Sequence, residues 1–231
     1  LIKVSIGYFQ PDNLEKHNMI ESKRGHRKPA LLYVAKNLFF KRGYQGTTIE
    51  QVANRAGFSK RTVYLYFKNK DELFLSVARE GIVLLQDRLE KIPVDEYPVE
   101  QSMDAVLEVY LWFAREHSNY YRMIFQEATA SMIECVSEEL RIKIKAHEKA
   151  CLGVVAQIAQ KALDSGLAEG IDPWEVAVIF WGSTAGILQL SAGVSQTVFT
   201  QRPAEDLIRQ AVWTIFFGLG KGSDVQKMKT R

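Results

Sequence analysis

The chain has 231 residues, of which 47% are hydrophobic and 25% charged, a balance that excludes a disordered or low-complexity protein and leaves room for a real core. Its formal net charge of +3 is unevenly spread: residues 1–70 hold 14 Lys and Arg against 4 Asp and Glu, whereas residues 71–231 hold 16 against 23. A basic module joined to an acidic body points to a chain that meets a polyanion with one end and does something else with the other.

Residues 1–28 show no sustained apolar period and end in the basic run Lys23 to Lys28, so they read as a loosely organised basic arm. The opening LIKVSIGYFQPDN has neither a continuous apolar stretch nor a small-residue cleavage site, and no secretory signal is expected. From Pro29, which suits a first-turn position, Leu31, Ala35, Leu38 and Phe39 recur at helical spacing up to a stop at Gly43. Thr48 and Gln51 then form a capping box, and Ile49, Val52, Ala53 and Ala56 share one face of a second helix. Gly57 allows a positive φ and hence a sharp turn. Ser59 caps a third helix whose inward face is Val63 and Phe67; the fourth starts at Asn69 and carries Phe74, Ala78, Ile82, Leu85 and Leu89 towards a stop at Pro93.

Two short helices joined at a glycine, the second opened by a hydroxyl residue, have the spacing of a helix-turn-helix. Its second helix can enter a major groove with its amino-terminal end foremost, where Lys60 and Arg61 reach base edges and the hydroxyls of Thr48 and Ser59 meet phosphates. Tyr64, Tyr66 and Lys70 are placed for the sugar-phosphate backbone.

Here the sequence resembles the TetR family of bacterial transcriptional regulators. The resemblance is carried by Ala35, Leu38, Phe39, Gly43, Tyr44, Thr47 to Ile49, Val52, Ala53, Ala56 to Lys60, Thr62 to Tyr64, Tyr66 to Lys70 and Leu73. It implies an all-α protein: an amino-terminal three-helix helix-turn-helix domain over 29–73, then a larger helical ligand-binding and dimerisation domain over 74–220, with the basic arm 1–28 before and a polar tail 221–231 after. It implies a repressor that binds a palindromic operator as a homodimer and lets go when a small molecule binds. Matched residue by residue, Lys60, Arg61 and Thr62 become base-facing, and Thr48, Tyr64, Tyr66 and Lys70 become phosphate contacts, with Leu65 free to meet a thymine methyl or fill space.

Beyond the fourth helix the pattern stays helical, over about 99–116, 120–126, 131–164, from the start signal Asp172-Pro173-Trp174-Glu175 onward, and over 203–219. Cys135 and Cys151 fall on what reads as one helix, about 24 Å apart at 1.5 Å per residue, so reduced thiols and a cytoplasmic setting are expected. Val176 to Val194 is uncharged and holds Gly182-x-x-x-Gly186, yet Ser183, Thr184, Gln189 and Ser191 punctuate it, the mark of a helix buried in protein rather than a membrane span. In the family resemblance this helix and the last one form the dimer interface, with Gly182, Gly186 and Leu188 packing closely and Trp213, Phe216 and Phe217 filling it. The aromatic group of Trp112, Phe113, Tyr120, Tyr121, Phe125, Phe180 and Trp181 is available to line a ligand cavity, with Tyr110, His117, Gln126, Cys135 and Thr184 as polar handles. That lining favours a hydrophobic or amphipathic effector. Each of these aromatics is equally well placed as ordinary core.

No Gly-x-Ser-x-Gly elbow, phosphate loop or His-Glu-x-x-His is present, and neither catalysis nor a cofactor is expected. His147 and Cys151, at i and i+4, are too few to hold a metal. Two rivals stay open: a ligand-independent architectural DNA-binding protein, and a peripheral membrane or scaffold protein that uses its basic end on anionic lipid.

Overall fold

The structure, a computed structural model, describes the backbone of residues 12–191 and 202–219 and the side chains of residues 26–191 and 202–214. The expected polar tail, and the side chains of Phe216 and Phe217, lie outside the described residues. No strand occurs among the described residues. The chain divides into two compact units between Val77 and Ala78. Residues 1–77 carry 14 Lys and Arg against 6 Asp and Glu, and residues 78–231 carry 16 against 21, so the division falls close to where the charge changes sign.

The first unit is built from α1 (Asp12–Arg42), α2 (Ile49–Arg55), α3 (Lys60–Tyr64) and the start of α4 (Lys70–Leu89). Residues 12–28, expected as a loose arm, are instead the first half of α1, and Pro29 lies inside that helix rather than at its start. Proline removes one i to i−4 hydrogen bond there without ending the helix. Residues 12–28 contain only Leu14, Met19 and Ile20 as aliphatic residues, so apolar periodicity marks only the second half of α1.

Leu31, Ala35, Leu38 and Phe39 of α1 are buried together with Val52 and Ala53 of α2, Val63 of α3, and Phe67, Leu73 and Phe74. The Phe74 ring meets those of Phe39 and Tyr44 edge-on, each at 5.1 Å between centroids. Burying each of the valine, leucine and phenylalanine side chains among them stabilises the unit by about 1.5–3 kcal/mol. Thr47, fully buried, is kept from being an orphan by donating its hydroxyl hydrogen to the Gly43 carbonyl at 2.9 Å.

The second unit holds the rest of α4, α5 (Val99–Glu116), α6 (Ser118–Arg122), which runs into one π-turn at Met123–Glu127, α7 (Ala130–Cys135), α8 (Glu138–Asp164), α9 (Pro173–Ser191) and α10 (Ala204–Leu219). α9 packs against both α8 and α10, and α8 also meets α5. The single helix expected over 131–164 is two helices, because Val136 and Ser137 are extended. Ser137 followed by Glu138 and Glu139 places a favoured N-cap residue and two acids at the start of α8, a start signal that an otherwise continuous apolar pattern conceals. The π-turn is likewise absent from the sequence pattern.

Two contacts fix the second unit locally. Tyr120 lies across Gly81 of α4, where an added Cβ would come within 2.7 Å of its side chain, and its hydroxyl donates to Glu80 at 2.8 Å. The Lys161 ammonium of α8 donates to the carbonyls of Val94, Asp95 and Tyr97 at 2.7, 3.0 and 2.6 Å, which ties down the connection between α4 and α5.

Candidate nucleic-acid interface and ligand cavity

The turn between α2 and α3 is made by local chemistry. Thr48 Oγ1 accepts from the Gln51 N–H at 3.2 Å while Gln51 Oε1 accepts from the Thr48 N–H at 3.1 Å, so the capping box is complete. Gly57 takes φ +72°, and the Phe58 N–H then reaches back to the Ala53 carbonyl at 2.9 Å. Ser59 caps α3 by accepting from the Thr62 N–H at 3.2 Å, and the two hydroxyls lie 3.0 Å apart. Asn69 opens α4 by accepting from the Glu72 N–H at 2.8 Å.

These caps turn one side of the unit outward. Thr48, Ser59, Lys60, Arg61 and Tyr64 are exposed, Thr62, Tyr66 and Lys70 are half-buried, and Val63 and Phe67 point into the core. Tyr64 is 54% and Leu65 71% exposed, and two bulky apolar or aromatic side chains held outward beside cations form a surface suited to base edges and sugars. Lys60 is not simply solvated: its Nζ lies 2.9 Å from Glu50 Oε2 of α2. Lys70 sits 3.9 Å over the Tyr44 ring, whose hydroxyl donates to Asp71. Partial burial lowers the Lys70 ammonium below its ordinary value, with Asp71 opposing. Upstream, the Arg27 guanidinium lies over Phe58 at 6.0 Å and Lys28 over Phe67 at 5.7 Å, so the end of the basic run is anchored on the helix-turn-helix itself.

In the second unit the expected ligand residues part company. Tyr110, Phe113, Tyr121, Phe180 and Thr184 are buried. Tyr110 is the hub: its ring meets Tyr121, Phe125, Phe180 and Trp181 edge-on at 6.1, 5.9, 6.4 and 5.0 Å, and its hydroxyl donates to that of Tyr121 at 3.5 Å. Trp112 faces elsewhere. Two helical residues apart means about 200° of rotation, so Trp112 cannot share the Tyr110 side of α5; it lies beneath the Arg88 guanidinium at 4.0 Å and beside His117 at 4.6 Å.

A cavity of about 290 Å³ lies against this cluster, lined by Ile82 and Leu85 of α4, Ile124 and Phe125 of the π-turn, Glu148, Cys151 and Leu152 of α8, and Trp181 of α9. Of the twelve residues that the sequence offers for a cavity, Phe125 and Trp181 line this one. Helical spacing groups Ile82 with Leu85, and Glu148 with Cys151 and Leu152, in the sequence; that these faces meet around a π-turn is a tertiary fact. Burial pushes the Cys151 thiol up to about 12, and the charges of Glu90 and Glu148 add to the effect. Glu148, exposed at the cavity mouth, has its carboxyl raised by partial desolvation, with Lys145 opposing. No group of side chains able to hold a metal occurs among the described residues.

The outer side of α9 carries Val178 at 59% and Ile179 at 46% exposure in line with Gly182, around which a Cβ would meet nothing within 4 Å. The same open space surrounds Gly186; Leu188 and Trp213 are half-buried. No described helix is long and apolar enough to cross a membrane.

An outward-facing, cation-bearing recognition helix on a capped helix-turn-helix, carried by a second all-helical unit with its own cavity, defines a DNA-binding transcriptional regulator. Residues 31–77 match the model of bacterial regulatory proteins of the tetR family, and residues 103–218 match the tetracyclin repressor-like carboxy-terminal domain. The chain belongs to the TetR family. It is 29% identical over 145 residues to the HTH-type transcriptional activator FasR of Mycolicibacterium smegmatis, covering 62% of this chain and 63% of FasR. FadR of Bacillus subtilis, solved in complex with stearoyl-CoA, superposes with a TM-score of 0.61 at 20% identity over 83% of this chain and 98% of its own. AibR, solved with isovaleryl coenzyme A and operator DNA, gives 0.59 at 21% over 83% and 99%.

Proposed function

We propose that this protein binds a palindromic operator as a homodimer in the cytoplasm, represses transcription there, and is released when a small hydrophobic effector enters the cavity of its second unit. The observation that carries the reading is α3: a Ser59-capped helix that presents Lys60, Arg61, Tyr64 and Leu65 to solvent while Val63 and Phe67 anchor it. Arg61 is assigned to a guanine edge and Tyr64 and Lys70 to phosphates, with Thr48, Ser59, Thr62 and Tyr66 completing the contact set. The uncovered side of α9 supports a dimer contact through Val178, Ile179, Gly182 and Gly186. The complexes of FadR and AibR with acyl-coenzyme A molecules support an acyl effector for this chain as well.

α4 supports the coupling. Leu73 and Phe74 of this helix belong to the core of the first unit, and Ile82 and Leu85 of the same helix line the cavity. An effector that prefers one placement of α4 alters the spacing of the two recognition helices, which must lie about 34 Å apart to reach successive major grooves. The test is selection of bound DNA from a random pool. An inverted repeat should emerge, Arg61→Ala should relax one position of each half-site, and Lys70→Ala should weaken all sequences alike. Recovery of DNA without a repeat, or sequence-blind losses from both variants, would overturn the reading.

A further inference from the structure

Residues 78–231 hold 16 Lys and Arg against 21 Asp and Glu, and in this acidic unit Arg115, Arg122, Arg141 and Arg209 each lie against a glutamate. Arg88 and Lys91 of α4 break the pattern. Both are exposed, and among the described residues neither pairs with a carboxylate. Both line a cavity of about 530 Å³, well inside the range of about 300–1,000 Å³ that ligand sites occupy.

Three pieces of chain build this cavity. α4 supplies Leu84, Asp87, Arg88 and Lys91, which share one side of the helix at i, i+3, i+4 and i+7. That side lies about 140° round from Ile82 and Leu85, so this cavity and the one at the π-turn flank α4 on different sides. α5 supplies Ala105, Val109 and Trp112, again at i, i+4 and i+7. The connection between them supplies Ile92, Pro93 and Tyr97, and the three hydrogen bonds that Lys161 donates to its carbonyls hold it in place. Walls fixed before anything binds lower the cost of binding. Arg88 is fixed as well: its guanidinium lies 4.0 Å over the Trp112 ring, which also meets His117 at 4.6 Å. A guanidinium stacked on a ring keeps its N–H edge free, and that edge matches a carboxylate with two parallel hydrogen bonds. Lys91 adds a second cation one turn further on.

Asp87 offsets one of the two positive charges, so the lining suits a single negative charge rather than two. Leu84, Ile92, Pro93, Ala105 and Val109 ask for an apolar body beside it. We propose that this cavity is a second ligand site and takes an amphipathic carboxylate, its apolar, ring-sized body lying between α4 and α5 and its carboxylate gripped by Arg88 and Lys91. Arg88 is the residue that reads the charge. The site is separate from the π-turn cavity and does not rest on the effector assigned to that cavity.

The full chain is titrated in a calorimeter with four probes: 2-naphthoate, its neutral amide, acetate and 2-naphthyl phosphate. 2-Naphthoate should bind about tenfold or more tighter than the amide, the worth of a hydrogen bond to a charged group, and tighter than acetate, which lacks the apolar body. In Arg88→Met the preference for the acid over the amide should vanish while the amide binds as before, since methionine keeps an apolar stem and loses the fork; the unchanged amide also controls for folding. Arg88→Lys, with the charge but no fork, should recover part of the preference. Lys91→Met should weaken 2-naphthoate by about two- to fivefold, as for an exposed ion pair. No binding of 2-naphthoate, equal binding of the acid and its amide, a preference that survives in Arg88→Met, or tighter binding of the phosphate would overturn the inference. Operator release is read separately, and none of these outcomes bears on the effector reading of the π-turn cavity.

Discussion

At the scale of single residues, the surface proposed to meet DNA contains its own competitor. The Glu50 carboxylate holds the Lys60 ammonium at 2.9 Å, and both side chains are more than half exposed. Such a pair contributes about 0–1 kcal/mol to stability, so Glu50→Gln should leave the melting temperature nearly unchanged. It removes a negative charge from the approach to a phosphate backbone and releases Lys60. Filter-binding or anisotropy titrations should therefore show DNA affinity up by roughly two- to fivefold at low salt, a gain that shrinks as salt screens it. The two cysteines make a contrasting pair. Cys135 is exposed, whereas Cys151 is buried and its thiol is pushed up to about 12. At pH 8 iodoacetamide should add one label per native chain, on Cys135, and a second only in denaturant, as counted by mass spectrometry.

At the scale of elements, caps decide what the sequence makes legible. The Thr48 and Gln51 box, Gly57, Ser59 and Asn69 are local devices whose partners lie within four residues, and the α2–α3 turn can be read from them before any packing is known. The same holds for Asp172, which accepts from the Trp174 and Glu175 N–H groups at the start of α9. Elements set by distant partners are illegible. Gly81 looks like a weak point in α4, but the Tyr120 ring, 39 positions later, occupies the space where its Cβ would be. The π-turn that brings Ile124 and Phe125 to the cavity carries no local signal, and the buried Tyr110 and Phe180 cannot be told from lining residues by composition. Gly81→Ala tests this view through a reversal of sign. Alone it should destabilise the chain in urea unfolding, because overpacking against Tyr120 costs about 1–3 kcal/mol. In a Tyr120→Ala background the same change should stabilise by about 1 kcal/mol, the ordinary gain of alanine over glycine in a helix. Destabilisation in both backgrounds would mean that the glycine serves something other than the ring.

At the scale of the whole molecule, self-association should depend on the outer side of α9. Val178 and Ile179 are held in water there at 59% and 46% exposure, with open space around Gly182. Ile179→Glu should give monomers in sedimentation velocity at micromolar concentration and weaken operator binding while the helical content stays nearly unchanged, since the side chain is close to half exposed on the outer side of α9. The division of charge between the two units has a colloidal consequence. Near 10 mM salt, where charges act over about 30 Å, the basic residues 1–77 of one molecule attract the acidic residues 78–231 of another, and their mutual pull favours loose clustering in the absence of DNA. At 0.15 M the reach falls to about 8 Å and the clusters disperse. A purified preparation should thus be clearest at moderate salt, and a short DNA duplex added at low salt should clear it by occupying the basic partner first.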